Sequence, residues 1–178
     1  MRLDNEKLDW HHLQMIGCLT IVPGEYIRQE DVYDWFVEQQ QKYRIECIGF
    51  DPANAIKLQQ LLEGKGFCTQ IVRQGPITLN DPMKDIKERL LDGNVISNND
   101  PMLRWYTDNV RISGDQRHQS KANWMPQKRN RFRKIDGFMA WLDAHCILLD
   151  KNPAGAGHKA PAVRVINIPT KSSRRHGW

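Results

Sequence analysis

Residues 45–55 read IECIGFDPANA. An apolar run, Ile45 to Phe50, stops at a carboxylate and is followed at once by Pro52. A short apolar run bounded by a Pro turn reads as a strand, and its lack of alternation predicts burial on both faces, as in central strands of a parallel or mixed sheet. PANAIKLQQLLEGKG (52–66) then predicts a helix closed by Gly64 or Gly66, and FCTQIVRQ (67–74) a second strand. Strand, helix and strand with short connections are the pattern of an α/β domain. Asp51 has two readings in this frame. It is the N-cap of the helix, with Pro52 at the first helical position. Alternatively it is a metal ligand at the carboxyl end of a strand, where open α/β sheets place their sites.

The flanking segments extend the pattern. Residues 5–16 predict a short helix ended by Gly17, and CLTIVPG (18–24) an extended segment closed by Pro-Gly. RQEDVYDWFVEQQQKY (28–43) predicts an amphipathic helix with Val32, Trp35 and Phe36 inward. GPIT (75–78) reads as a loop before a helix over 79–93 with Asp81 as its cap and Pro82 in its first turn. NVISNND (94–100) reads as a short strand and turn, and PMLRWYTDNV (101–110) as a helix entered through Asp100-Pro101. Residues 111–130 predict a β-ribbon or long loop, and 133–149 the last helix. After Asp150 the composition turns to Gly, Ala, Pro and basic residues without periodicity, so 1–150 reads as one domain and 151–178 as a flexible basic tail.

Charge and cysteine usage narrow the function classes. The net charge of +5 over 178 residues overstates the basic character of the domain. Lys151, Lys159, Arg164, Lys171, Arg174 and Arg175 lie in the tail with no acidic residue beside them, which leaves residues 1–150 close to neutral. The pI therefore does not by itself indicate nucleic-acid binding. No apolar run approaches the roughly 20 residues of a membrane span, and MRLDNEKLDW lacks a signal-peptide core, so a cytoplasmic protein without a membrane partner is expected. Of the four cysteines none forms a C-x-x-C pair. Cys47, Cys68 and Cys146 fall in apolar runs and read as small buried hydrophobes, not as a disulfide framework or zinc site. No G-x-S-x-G accompanies His145 to suggest a Ser-His-Asp hydrolase.

A second acid shares the setting of Asp51. In RKIDGFMAWLDAH (133–145), Asp136 precedes Gly137 and an apolar helix face. It too reads as a cap or as a ligand. Two carboxylates converging from different elements suit magnesium or manganese, which take oxygen donors. Two such ions about 4 Å apart can activate water and stabilise a leaving oxygen in phosphodiester cleavage. A third acid should complete such a centre. Upstream of Asp136 lies a basic stretch with Arg117, Lys121, Lys128, Arg129, Arg131 and Arg133, interleaved with Trp124 and Phe132. It reads as a solvated loop or as a track for a phosphate backbone.

The ordered succession of motifs resembles the nuclease domain of the large terminase subunit of tailed bacteriophages with HK97-like morphogenesis. Trp10, Gly17 and Pro23-Gly24 resemble its entry, and IGFDPANA (48–55) its strand-Asp-Pro motif. Gly66, Gln74, Pro82 and Lys84 fall in its middle region. SNNDPMLRWYTDN (97–109), with Asp100 where Asn is usual, precedes a closing block resembled by KANWMPQK (121–128) and KIDGFMAWLDA (134–144). The resemblance covers about residues 8–150. It implies an RNase H-like mixed sheet flanked by helices, and metal-dependent endonuclease cleavage of concatemeric double-stranded DNA during packaging. Under it Asp51 and Asp136 become metal ligands, and the basic residues from Arg117 to Arg133 contact DNA. The implied partners are phage DNA, the portal protein and the small terminase subunit.

Two departures shape the expectation. The family's first catalytic Asp lies on a strand upstream of the Trp10 region, where this chain has only Asp4 and Asp9, and no G-x-x-x-x-G-K-[ST] marks an ATPase motor. The chain thus reads as the C-terminal part of a terminase, with a sheet incomplete at its N-terminal side and weak or no nuclease activity of its own. The competing readings are a non-catalytic fragment that docks on the portal or binds DNA, and another RNase H-like enzyme such as a junction resolvase.

Overall fold

The computed structural model describes residues 8–113 and 123–151. The chain runs α1 (Trp10–Met15), α2 (Gln29–Gln39), β1 (Ile48–Phe50), α3 (Ile56–Gly64), β2 (Thr69–Ile71), α4 (Pro76–Leu91), α5 (Pro101–Asp108), β3 (Val110–Ser113), β4 (Met125–Lys128) and α6 (Asp136–Lys151). The fold is α/β, with small sheets flanked by helices. Among the described residues the strands form two ladders, not one mixed sheet. β1 and β2 pair in parallel through Ile48–Thr69, Gly49–Gln70 and Phe50–Ile71. β3 and β4 form an antiparallel ribbon from Val110–Lys128 to Ser113–Met125. The tail expected from residue 151 lies outside the described residues except for Lys151, which ends α6.

The alternation of β1 divides the core. Ile48 packs with Leu62 of α3, Phe67, and Tyr33, Phe36 and Val37 of α2. Gly49 turns to the opposite face and meets α6. A Cβ built there would lie 2.8 Å from Ile147 Cγ1 and 2.9 Å from the Asp143 carbonyl oxygen. Only a residue without a side chain lets the helix seat this closely. The second and larger cluster lies between α4 and α6. Leu79, Met83 and Ile86 pack there with Phe138, Leu142, Cys146 and Ile147, and Val72 joins them beyond β2. Successive contacts three or four residues apart on each helix are the stripes that helical periodicity requires.

Several boundaries differ from the sequence expectation, each for a local reason. β1 holds only three residues and only Ile48 is buried, so the fully buried strand over 45–50 is not realised. GPIT is not a loop: α4 begins at Pro76, with Gly75 as N-cap, and Asp81 lies inside the helix and caps nothing. Pro76, not Pro82, occupies the first turn where proline is favoured. Pro82 instead sits mid-helix and buried, where its missing N–H costs one helical bond and its ring fills core space. No strand forms at 94–100, where Asn98 and Asn99 adopt left-handed φ of 50° and 57°. Trp35, assigned to the inner stripe of α2, is 43% exposed, and Tyr33 and Val37 take its place against α3.

Cys47 and Cys68, read as buried free thiols, are disulfide-bonded, with Cα atoms 4.6 Å apart. Each immediately precedes the first rung of the parallel pair, and register brings them together. Cys146 is buried as expected and, like Cys18, is a free thiol. Among the described residues no helix is long and apolar enough to cross a membrane.

Close approach at two glycines is directly testable. At Gly137 a Cβ would lie 2.3 Å from the Tyr106 ring, so Gly137 makes room for that ring at the start of α6. Gly49→Ala and Gly137→Ala are each expected to cost about 1–3 kcal/mol by overpacking. In thermal unfolding followed by circular dichroism this is a fall of roughly 3–10 °C in Tm. An unchanged Tm in both would contradict the seating of α6 described here.

Candidate metal centre and basic ribbon

Asp51 directly follows β1 and is exposed. It is not a helix cap. α3 starts five residues later at Ile56, with Ala55 as an N-cap residue that offers no side chain. Gln29 of α2 supplies the cap across the chain. Its Oε1 accepts from Leu58 N–H at 2.6 Å and its Nε2 donates to the Asn54 carbonyl at 2.7 Å. Lys57 and Glu30 add an ion pair beside it. Asp51 makes only a local turn, accepting from Ala53 N–H through Oδ1 at 3.0 Å. The helix that follows does not need the carboxylate at 51.

Asp136 is not a cap either. The first helical bond of α6 runs from Met139 N–H to the Ile135 carbonyl, which makes Asp136 the first residue inside the helix. A carboxylate there is favoured by the helix dipole. Asp136 is exposed and lies beside Tyr106, whose hydroxyl is pushed above its usual pKa by burial and then by the Asp136 charge. The approach to Asp136 is held by Asn109, which is 2% exposed. Its Nδ2 donates to the Lys134 carbonyl at 2.9 Å, and its own carbonyl accepts from Arg129 N–H at 2.9 Å.

A third acid, which the sequence reading passed over, faces the Asp51 end of the sheet. Asp143 of α6 is 7% exposed. It follows Asp136 by seven residues, two turns on the same helix face and about 10 Å along the axis. Gln74, just beyond β2, donates to Asp143 Oδ1 at 2.9 Å and to the Val72 carbonyl at 3.1 Å. The Oε1 of Gln74 is buried without a partner. Burial pushes the Asp143 carboxyl above its usual pKa, the Gln74 bond opposes this, and the Asp51 charge adds to the rise. In sequence the only signal for Asp143 was an acid on the inner stripe of an apolar helix.

The carboxylates are oxygen donors of the type a hard divalent cation takes. Asp51 retains Oδ2 beyond its turn bond, and Asp136 is exposed in the first turn of α6. The described residues nevertheless gather no group of three or more His, Cys, Asp or Glu side chains able to hold a metal. The residues therefore fit a divalent ion in donor chemistry but do not assemble a complete first shell for the pair of ions expected from the sequence.

His145, also on α6, is 5% exposed and shares a hydrogen bond with Asp85 of α4. Burial alone would raise the Asp85 pKa, but the bonds from Arg89 and His145 outweigh it and hold the carboxyl below its usual value. This cluster joins α4 to α6 and has no nucleophile in it.

Of the basic residues, Lys128 ends β4, and Arg129, Arg131 and Arg133 line the connection to α6. Lys128, Arg129 and Arg131 are exposed, and Arg133 is half-buried. Arg129 Nε reaches the Val110 carbonyl at 3.3 Å, which ties it to the ribbon. Arg131 stacks over Phe132, 4.6 Å from the ring centroid, and Phe132 is 59% exposed. Arg117 and Lys121 lie outside the described residues. The ribbon itself is fixed to α4, because Trp124 N–H donates to Asn80 Oδ1 at 2.8 Å and Lys87 lies over the Trp124 ring.

No protein-family model matches the chain, and no curated protein sequence matches it. Among solved structures it is similar to the crystal structure of the HK97 bacteriophage large terminase, with a TM-score of 0.68 and 17% identity over 80% of this chain. The fold is terminase-like. The match takes in 29% of that terminase, so the chain spans less than a third of its length.

Asp143 makes a pH prediction whose sign is opposite to that of a paired acid. With its folded pKa raised above 3.8, the folded state keeps a proton that the unfolded chain has already lost. Stability is then greatest below the unfolded value and falls as pH rises through the folded one. Asp143→Asn removes the charge and offers an N–H to the orphaned Gln74 oxygen. It is expected to raise Tm at pH 7 and leave it unchanged near pH 3. A lower Tm at pH 7 would show that the charge of Asp143 is stabilising.

Proposed function

We propose that the chain is nuclease-domain material of a terminase-like phage packaging enzyme, in which Asp51 and Asp136 hold a magnesium or manganese ion for cleavage of double-stranded DNA. The observation that carries this reading is the placement of Asp51. It stands at the carboxyl end of a parallel strand, in a terminase-like fold, while Gln29 performs the capping that would otherwise explain an acid there. A carboxylate surplus to its local structure at the end of such a strand is what an active site uses.

In this reading a bound divalent ion would polarise the scissile phosphate and make its bound water a better nucleophile. The protein's own part is positional. The Gln29 bonds hold the 51–55 turn, and Asn109 holds the segment that delivers Asp136. Lys128, Arg129, Arg131 and Arg133 contact the phosphate backbone through charge, with Phe132 beside them as a stacking face. The partners of the reading are phage DNA, the portal protein and the small terminase subunit, and its setting is the host cytoplasm.

Because the described residues supply no three-acid group, slow cleavage is expected of this chain alone. Plasmid nicking in manganese is the decisive assay. Asp51→Asn and Asp136→Asn are each expected to reduce the rate by about a hundredfold or more, the scale of losing a catalytic metal's support. Equal rates in wild type and both variants would overturn the assignment. That no three-acid group forms among the described residues also favours a second reading, a non-catalytic DNA-binding or docking piece. Retained DNA binding with no nicking in any divalent ion would select it.

The basic track has its own test, independent of cleavage. Lys128→Ala and Arg131→Ala are each expected to weaken duplex binding at every sequence and to lower the salt slope by about 0.9, one phosphate contact apiece. Fluorescence anisotropy across a salt series measures both. An unchanged slope would return the segment to a solvated loop.

A further inference from the structure

The cysteine pair has a role that goes beyond the nuclease reading. β1 and β2 share only three residue pairs, and the described residues add no third strand to them. A two-stranded pair this short is marginal on its own. The hydrogen bonds at its two ends run from Ile48 N–H to the Cys68 carbonyl at 2.8 Å and from Val72 N–H to the Phe50 carbonyl at 2.9 Å. The disulfide lies at the first of these ends and spans 21 positions, closing β1, α3 and most of the β2 approach into one loop. Asp51 and its turn lie inside that loop. Cys68 is exposed while Cys47 is half-buried, so Cys68 is the residue more accessible to a solution thiol.

We propose that Cys47 and Cys68 form a reversible redox clasp that locks or releases the β1–β2 pair and the Asp51 turn it closes. The chemistry is thiol–disulfide exchange with a small-molecule disulfide of the glutathione class. The Cys68 thiolate attacks the external disulfide, forms a mixed disulfide and expels one thiolate. The Cys47 thiolate then attacks Sγ of Cys68 and expels the second. The two protons lost by the protein thiols go to the two leaving thiolates. The protein loses two electrons, and one external disulfide becomes two thiols. Excess dithiol runs the same steps in reverse.

The oxidised clasp constrains the pair through the chain entropy of its loop, so release should show first where the ladder is shortest. Any consequence for cleavage rests on the nuclease reading, because it acts through Asp51, whereas the consequence for the strands does not.

The experiment uses the whole chain, equilibrated with oxidised glutathione or with excess dithiothreitol. Thiols are counted after denaturation, and amide exchange is followed at Ile48 and Val72, with Met139 of α6 as an internal control. Two thiols, from Cys18 and Cys146, are expected in the oxidised protein and four in the reduced. Exchange at Ile48 and Val72 is expected to accelerate about tenfold or more on reduction, with Met139 unchanged. Cys68→Ser should exchange fast under both conditions, and Cys18→Ser should keep the full response. Four thiols after oxidised glutathione, or equal exchange at Ile48 and Val72 in the two states of the wild-type chain, would overturn the clasp. If Cys68→Ser does not fold, the wild-type and Cys18→Ser comparisons still decide. A working clasp with redox-independent nicking would remove only its link to Asp51.

Discussion

The seating of α6 on β1 is the contact on which the other arrangements depend. It requires Gly49, whose missing side chain admits Ile147 and the Asp143 backbone within about the distance of one methyl group. From that seat α6 extends along α4, where Leu142 and Ile147 meet Leu79, Met83 and Ile86. Its first turn meets α5, with Gly137 against the Tyr106 ring. One helix therefore sets the positions of Asp136 and Asp143 relative to the strand that ends in Asp51. A shift of α6 by one turn, about 5 Å, would move Asp143 away from Gly49 and Gln74. The polar ties at its flanks, Asp85 to His145 and Gln74 to Asp143, fix its rotation because each has directional hydrogen bonds that a purely apolar stripe lacks.

The order of elements was legible in the sequence because period and punctuation agreed over most of the chain. Ile48, Leu62 and Phe67 fall where the strand–helix–strand reading puts a core, and Asp100 caps α5 through Met102 and Leu103 as its Asp-Pro entrance suggests. Misreadings arose where two local signals competed. Pro76 and Pro82 both offer a helix start, and burial of Pro82 decided between them. Asp51-Pro52 and Asp136-Gly137 have the composition of caps, but the capping of α3 comes from Gln29, far away in sequence. Gly137 serves a contact with Tyr106 that no local pattern encodes. The Cys47–Cys68 pairing depends on register between strands, which spacing alone does not specify.

The candidate site was legible in part for the same reason. A carboxylate at the end of an apolar approach is visible in the sequence, as it is at Asp51 and Asp136. What Asp51 does with its oxygens depends on Gln29, and the electrostatic setting of Asp143 depends on Gln74 and on Asp51 itself. Each of these is a long-range relation. Asp143 escaped notice because on a helix its neighbours Leu142 and Cys146 mark it as part of a packed face, where a charge is normally unfavourable.

That cost bears on what the acids are for. A carboxylate more than nine-tenths buried, repelled by a second carboxylate and beside an amide oxygen with no donor, is an unfavourable arrangement for a part that only packs. Replacing it with an apolar residue would remove the buried charge and the repulsion, though not the unpaired Gln74 oxygen. Stability therefore does not account for the arrangement around Asp143, and a cation near Asp51 would offset the same repulsion. The cluster of Asp85, Arg89 and His145 differs in kind, since there every charge meets an opposite one and the Asp85 pKa falls. Within one helix, α6, the satisfied pair bolts the fold and the unsatisfied one lies toward Asp51. This contrast separates an ion-paired cluster that joins α4 to α6 from a buried acid whose electrostatic neighbour is another acid, Asp51.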